Sequence, residues 1–121
     1  MSEKCLLFVD DEEGLLELYG AAFRREGFRV ELASTLAKAK ELMGAACVDL
    51  VVLDIRLMEG SGLALLREIK ATWPSMPVVL NTAYARYQDD FASWLADAYV
   101  VKSSDLDELK RTVRACLEAG R

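Results

Sequence analysis

Leu50-Val51-Val52-Leu53-Asp54 decides the fold, together with Cys5-Leu6-Leu7-Phe8-Val9 and the Asp10-Asp11 pair that follows it. Both apolar runs are uninterrupted, which is typical of central strands in a parallel sheet, because helices cover both faces of such strands. Phe28-Arg29-Val30-Glu31-Leu32 alternates apolar and charged residues instead. This stretch is therefore predicted to be an edge strand with one poorly covered face.

Five apolar runs alternate with five helix-like segments, and no repeat or linker interrupts them. The last two strands are predicted over Val78–Leu80 and Ala98–Val101. This alternation indicates an α/β fold with a doubly wound, five-stranded parallel sheet. The 121 residues are expected to form a single domain over residues 1–121, since one core usually occupies about 100–150 residues.

The helices between the strands are predicted from the spacing of apolar residues, and their ends from capping residues and proline. The first helix is predicted to end at a Gly27 cap, the second to begin at a Ser34 or Thr35 cap, and the third to end before Pro74. A fourth helix is predicted over about Arg86–Leu95. The last helix is predicted to begin near Ser104, with Asp107 in a capping box.

Composition excludes several classes of function. With 20 Asp and Glu against 15 Lys and Arg, the net charge of −5 argues against direct nucleic-acid binding. No apolar run is long enough for a membrane helix, so we expect a soluble, cytoplasmic protein. The absence of histidine removes Ser/His and Cys/His nucleophile pairs and any phosphohistidine carrier. Cys5, Cys47 and Cys116 are expected to be buried, reduced thiols.

Polar residues follow four of the five strands: Asp10 and Asp11 come directly after the first, Asp54 directly after the third, Thr82 after the fourth and Lys102 after the fifth. The carboxyl ends of parallel strands lie along one edge of a sheet. If the second strand is at the edge, the first and third are neighbours, and the three aspartates converge. Such a cluster of repelling carboxylates suits Mg²⁺, and a lysine and a hydroxyl beside it suit phosphoryl transfer.

Each of these residues also has a structural interpretation when taken singly. Acidic residues 10–13 are favourable at a helix N-terminus. Asp54 can form a turn, Thr82 can end a strand as a β-branched residue, and Lys102 can be a solvated loop cation. Their shared position at the ends of four different strands favours the functional interpretation.

The chain resembles the receiver domains of two-component response regulators from Leu6 to about Leu117. The resemblance is carried by the stretches Leu6-Leu7-Phe8-Val9-Asp10-Asp11-Glu12, Val51-Val52-Leu53-Asp54-Ile55-Arg56-Leu57 with Gly62, Asn81-Thr82-Ala83, and Ala98-Tyr99-Val100-Val101-Lys102. It implies a single receiver domain with the flavodoxin-like (βα)5 fold and strand order 2-1-3-4-5.

The resemblance also implies a role for each site residue. The chain would be a signalling phosphoacceptor rather than an enzyme, although it would assist its own phosphorylation and dephosphorylation. The implied roles are phosphoacceptor for Asp54, Mg²⁺ ligands for Asp10, Asp11, Asp54 and the backbone carbonyl of Arg56, catalytic partners for Lys102 and Thr82, and switch residues for Thr82 and Tyr99.

The partners follow from the same resemblance. A sensor histidine kinase or a histidine phosphotransfer protein would supply the phosphoryl group. The output would pass through the surface of the fourth helix, the fifth strand and the fifth helix to an effector that the sequence does not identify. A phosphorylation-dependent homodimer is a further expectation, whereas nucleic-acid and membrane binding are not expected. If the chain is complete, its output is protein–protein contact.

Two positions depart from the family pattern, which usually has proline at both. Met58 stands four residues after Asp54, and Ser103 follows Lys102. A cis bond before a residue other than proline costs about 2.5–4 kcal/mol, so the Lys102–Ser103 bond is expected to be trans or strained. The bulk of Arg56 and Tyr84 predicts a shielded, long-lived phosphoform, although both side chains also suit a solvated rim.

Two other functions are compatible with parts of the sequence. A degenerate receiver could act as a phosphorylation-independent binding module. A Mg²⁺-dependent phosphatase with an aspartate nucleophile requires Asp-x-Asp after the first strand, whereas this chain has adjacent Asp10 and Asp11. Flavin or nucleotide binding is disfavoured, because no glycine-rich loop follows the first strand.

Overall fold

The computed structural model describes residues 3–45, 47–57, 60–83 and 94–119. These residues form four helices and seven strands. In chain order the elements are β1 (Cys5–Val9), α1 (Glu13–Arg25), β2 (Arg29–Ala33), α2 (Leu36–Ala45), β3 (Leu50–Leu53), β4 (Arg56–Leu57), β5 (Gly60–Ser61), α3 (Gly62–Thr72), β6 (Val78–Thr82), β7 (Ala98–Val101) and α4 (Asp107–Ala119).

Five of the described strands form one parallel sheet in the order β2-β1-β3-β6-β7. Counting these five strands alone, the order is the predicted 2-1-3-4-5, and the alternating segment does form the edge strand β2. The described two-residue strands β4 and β5 pair antiparallel as a separate hairpin, which the sequence did not predict. Strands of two residues are too short to carry a periodic pattern.

The core lies on both faces of the sheet, because successive side chains of a strand point to opposite faces. Leu7 and Val9 of β1 pack in the layer beside α2 and α3. Leu6 and Phe8 pack in the layer beside α1 and α4. All five residues of β1, and all four of β3, are buried, as expected of strands covered on both faces.

Several predicted helix boundaries are confirmed. Gly27 follows α1 with φ of 98°, a left-handed conformation that favours glycine. Thr35 caps α2, since its Oγ1 accepts a hydrogen bond from the Lys38 N–H at 3.0 Å. The third helix ends at Thr72, before Pro74.

The predicted start of the last helix is wrong by three residues. That helix, α4, begins at Asp107 rather than near Ser104. The reason is local: Asp105 Oδ1 accepts a hydrogen bond from the Asp107 N–H at 2.9 Å, and Ser103 Oγ accepts one from the Asp105 N–H at 3.1 Å. The Asp105 side chain therefore caps α4 in place of the predicted capping box, and Ser103 holds the turn before it.

The prediction of three buried thiols is also wrong in part. Cys5 is buried in β1, but Cys47 is exposed and Cys116 is half-buried. All three are free thiols, as expected. Most of the predicted fourth helix over about Arg86–Leu95 lies outside the described residues, as do Met58 and Tyr84. In the described part of the chain, every helix is too short or too polar to cross a bilayer.

Candidate functional site

The three aspartates converge because β1 and β3 are neighbours in the sheet. Val9 pairs with Leu53, so the residues that follow them, Asp10 and Asp54, emerge side by side. The Asp54 N–H donates to the Val9 carbonyl at 3.1 Å, which continues the ladder past the end of β3. One carboxylate oxygen from each of Asp10, Asp11 and Asp54 lies within 4.8 Å of the others. The predicted convergence is confirmed.

Backbone contacts hold the two buried carboxylates in place. Asp10 Oδ1 accepts a hydrogen bond from the Glu12 N–H at 2.9 Å. Asp54 Oδ1 accepts one from the Arg56 N–H at 3.3 Å. Gly62 packs directly on the Asp54 backbone, where a Cβ atom would collide with the Asp54 carbonyl oxygen. The turn that presents Asp54 therefore requires glycine at position 62.

Lys102 bridges the two buried carboxylates. Its Nζ lies 2.7 Å from Asp10 Oδ2 and 2.9 Å from Asp54 Oδ2, with Glu12 Oε1 at 4.0 Å. Its backbone N–H donates to the Thr82 carbonyl at 2.7 Å, which continues the pairing of β6 with β7. The described residues contain no cis peptide bond, so Lys102–Ser103 is trans. The lysine thus reaches the carboxylates without a cis proline.

The pKa values of Asp10 and Lys102 depend on their burial and on the contacts between them. Burial raises the pKa of Asp10, although hydrogen bonds from Lys102 and from the Glu12 backbone oppose this shift. Burial would lower the pKa of Lys102, but its hydrogen bonds to Asp10 and Asp54 outweigh that effect and raise it. Lys102 is therefore charged at neutral pH and partly offsets the repulsion among the aspartates.

Asp11 and Asp54 face an open cavity of about 360 Å³ at the carboxyl edge of the sheet. Ala83 contributes a small side chain to its wall. The exposed Arg56 also lies at this cavity, whereas Tyr84, its predicted shielding partner, is outside the described residues. The residues around the cavity are Asp11, Glu12, Asp54, Arg56, Leu57, Ala83 and Lys102.

The two predicted switch residues occupy the adjoining strands. Thr82 ends β6 and is fully buried. Tyr99 in β7 is half-buried, pairs with Leu80 and packs against the layer of the core beside α2 and α3. Their coupled movement remains a prediction.

The donor set fits Mg²⁺. Carboxylate oxygens are the hard ligands that this cation prefers, and one or two carboxylates with waters normally suffice. Asp10, Asp11 and Asp54 offer three such oxygens within 4.8 Å. The cluster contains neither thiol nor imidazole among the described residues, which distinguishes it from a zinc site.

Sequence reasoning missed a polar pair beneath the site. The Asn81 side-chain amide donates a hydrogen bond to the Tyr19 hydroxyl at 2.9 Å, and both residues are buried. Tyr19 lies among the apolar residues of the first helix, and the predicted strand ended at Leu80. The available signal was a polar residue directly following the apolar run Val78–Leu80.

Comparison with known proteins decides the family. The sequence pattern described as the response regulator receiver domain matches residues 6–114. The chain belongs to the response regulator receiver family. Its function is therefore that of a receiver domain in phosphorylation-based two-component signalling.

Curated relatives of this receiver domain are longer proteins. The transcriptional regulatory protein GlrR of Escherichia coli K12 is 35% identical over 115 residues, which cover 93% of this chain and 26% of that protein. The regulatory protein AtoC of the same organism is 34% identical over 115 residues, covering 93% of this chain and 25% of AtoC. The chain thus spans about a quarter of the length of these relatives.

Solved structures agree with the receiver fold. The response regulator TrrA of Thermotoga maritima, in complex with Mg²⁺-BeF, is 38% identical with a TM-score of 0.90, over 93% of this chain and 98% of TrrA. TrrA in complex with the histidine kinase ThkA gives a TM-score of 0.88 at 38% identity, over 94% and 98%. A CheY-like receiver of Methanospirillum hungatei is 27% identical with a TM-score of 0.92, over 98% and 97%.

Proposed function

We propose that Asp54 is the residue that accepts the phosphoryl group, with Lys102 and Thr82 as its catalytic partners. The observation that carries this proposal is the lysine bridge: Lys102 Nζ lies 2.9 Å from Asp54 Oδ2 beside two further carboxylates. The Arg56 N–H holds the other oxygen of Asp54. The nucleophile is therefore oriented at both oxygens, at the wall of an open cavity.

The proposed phosphoryl transfer is a displacement at phosphorus. An oxygen of Asp54 forms a P–O bond while the P–N bond of a phosphohistidine breaks, and the leaving imidazole takes a proton from solvent. Lys102 is close enough to follow the charge from the carboxylate to a phosphoryl oxygen. Thr82, at the end of β6, would donate a hydrogen bond to another phosphoryl oxygen. The domain would in this way assist its own phosphorylation and dephosphorylation.

Mg²⁺ is the proposed cofactor, held by Asp10, Asp11, Asp54 and the backbone carbonyl of Arg56. When bound, it would neutralise charge on the phosphoryl oxygens. The support is the compact set of three carboxylate oxygens and the Mg²⁺-BeF complex of the similar protein TrrA. Asp10 and Asp54 are already ordered by backbone hydrogen bonds.

The proposed phosphodonor is a sensor histidine kinase or a histidine phosphotransfer protein. The chain has no histidine of its own, so a donor imidazole must come from another domain or molecule. TrrA forms a complex with the histidine kinase ThkA, which supports the first of these partners. Such an exchange is expected in the cytoplasm. The downstream effector and a phosphorylation-dependent homodimer remain predictions.

Acetyl phosphate with Mg²⁺ tests the assignment directly. We expect intact-mass spectrometry to find one added phosphoryl group on the wild-type chain and none on Asp54→Asn. Asp97→Asn is the matched control, because Asp97 lies at the opposite edge of the sheet and should leave the adduct unchanged. An unmodified wild-type chain would favour a binding module, and steady phosphate release from many esters would favour a phosphatase.

A further inference from the structure

Tyr19 and Asn81 form a polar pair inside an apolar layer of the core. Tyr19 in α1 is 3% exposed and Asn81 in β6 is 4% exposed. Their neighbours in this layer include Phe8, Val52 and Val79. A buried amide and a buried hydroxyl cost free energy unless they are paired, and two apolar side chains would fill the same space without that requirement. The pair therefore invites an explanation other than stability.

The Tyr19 ring is held firmly, so its hydroxyl is a fixed point. The ring stacks on Phe8 with centroids 5.3 Å apart and planes 23° apart. Phe8 lies in the same strand that presents Asp10, two residues further on. Burial raises the pKa of Tyr19, against the lowering effect of the Asn81 hydrogen bond, so the hydroxyl stays protonated at neutral pH.

Asn81 links the Tyr19 hydroxyl to the proposed catalytic partners of Asp54. Thr82 is the next residue, and its carbonyl accepts the hydrogen bond from the Lys102 N–H at 2.7 Å. Lys102 Nζ in turn contacts Asp10 and Asp54. The order of contacts thus runs from α1 through the end of β6 to the end of β7.

The pair also lies directly beneath Asp10 and Asp54. Tyr19 and Asn81 line a small gap together with Asp10 and Asp54, and this gap is too small to hold a water molecule. No solvent therefore separates the pair from the base of the two carboxylates. A shift of β6 into this gap would move Thr82 and the Lys102 backbone relative to Asp54.

We propose that Tyr19 and Asn81 are positioning residues for phosphoryl transfer, and that their buried hydrogen bond fixes Thr82 and Lys102 relative to Asp54. This inference rests on the proposed role of Asp54. The competing explanation is that the pair only stabilises the core. The two explanations differ in a variant that loses the bond but keeps the stability.

The test uses Tyr19→Phe, Asn81→Leu and the double variant, with acetyl phosphate and Mg²⁺ well below the melting temperature. Each single variant orphans one buried polar group and should lower the melting temperature by about 4–8 °C. The double variant removes both groups and should recover most of that loss. We nevertheless expect its maximal phosphorylation rate to be about tenfold lower, with an unchanged half-saturating donor concentration.

Val113→Ala is the matched control, since Val113 is fully buried in α4 in the same core layer. It should lose stability and keep the wild-type rate. A double variant that reacts at the wild-type rate would overturn the inference alone. If the double variant does not fold, Tyr19→Phe decides: a rate equal to that of Val113→Ala overturns the inference, and a lower rate supports it. A wild-type chain that gains no phosphoryl group would overturn the proposed function and the inference together.

Discussion

The two edges of the parallel sheet carry the same residue types but use them differently. At the amino edge, Asp49 Oδ2 accepts from the Cys5 N–H at 2.7 Å, and Asp97 Oδ2 accepts from the Val78 N–H at 2.8 Å. Lys70 Nζ completes this edge, 2.8 Å from Asp97 Oδ2 and 2.7 Å from the Met76 carbonyl. Each aspartate there caps the first residue of a neighbouring strand.

At the carboxyl edge, the charges are not balanced locally. Asp10, Asp11 and Asp54 gather within 4.8 Å, and Lys102 contacts two of them. The cluster borders an open cavity instead of the starts of strands. At the amino edge, backbone N–H groups and Lys70 satisfy the aspartates. At the carboxyl edge, three carboxylates share one lysine, and this excess of negative charge makes the edge a candidate cation-binding site.

Removal of the two lysines should give the sharpest contrast between the edges. Lys102→Ala should slow phosphorylation by acetyl phosphate about 100-fold or more, because the charge developing on the phosphoryl oxygens loses its cation. Lys70→Ala should lower stability and leave the rate unchanged. The initial rate of adduct formation, followed by intact mass, measures both. Equal rates for the two variants would contradict the proposed difference between the edges.

Mg²⁺ should stabilise the folded chain through the carboxyl edge alone. At about 100 times its dissociation constant, a ligand that binds only the folded state adds about 2.7 kcal/mol to the free energy of unfolding. Asp11→Ala should remove most of this gain, whereas Asp49→Asn should retain it. Thermal melts with and without Mg²⁺ measure the gain. An undiminished Mg²⁺ shift in Asp11→Ala would show that the metal assignment is wrong.

Loss of a cap at the amino edge should affect stability and not reactivity. Asp97→Ala leaves the Val78 N–H without its acceptor and removes the partly exposed ion pair with Lys70. We expect a loss of about 1–2 kcal/mol in the free energy of unfolding, mostly from the orphaned N–H. Urea titration measures this loss. If Asp97→Ala is phosphorylated more slowly under conditions in which it is fully folded, the amino edge also affects the geometry of the phosphorylation site.

The pH dependence of stability should reveal the cost of ionising the buried Asp10 carboxyl group. Because burial raises the pKa of Asp10 in the folded state, its contribution to stability is present at low pH and is lost as the pH rises through that pKa. Without Mg²⁺, Asp10→Asn should therefore gain stability relative to the wild type between about pH 3 and pH 7. Asn retains the oxygen that accepts from the Glu12 N–H. A difference that stays constant with pH would contradict the raised pKa.

The sheet and the acidic cluster were predictable because they follow from short-range patterns. Uninterrupted apolar runs identified β1 and β3 as central, and alternation identified β2 as an edge strand. The convergence of Asp10 and Asp54 then followed from topology, since the carboxyl ends of neighbouring parallel strands meet. The resemblance to receiver domains added the roles of individual residues.

The remaining features depend on contacts that no local pattern encodes. The Tyr19–Asn81 bond joins residues 62 positions apart, and nothing in the local sequence of the first helix distinguishes Tyr19 from its apolar neighbours. The start of α4 is set by Asp105, whose side chain accepts the hydrogen bond from the Asp107 N–H where Ser104 was the predicted cap. Cys47 was expected to be buried because of its apolar neighbours, but this residue, between α2 and β3, is exposed.

Chemical mapping of the phosphorylated residue tests the central claim most directly. Borohydride reduces an aspartyl phosphate to homoserine, which peptide mass spectrometry locates in the sequence. After treatment with acetyl phosphate and Mg²⁺, we predict homoserine at position 54 and unchanged aspartate at positions 49 and 97. Homoserine at any other position, or none in a chain that carries the phosphoryl group, would contradict the assignment of Asp54 as the acceptor.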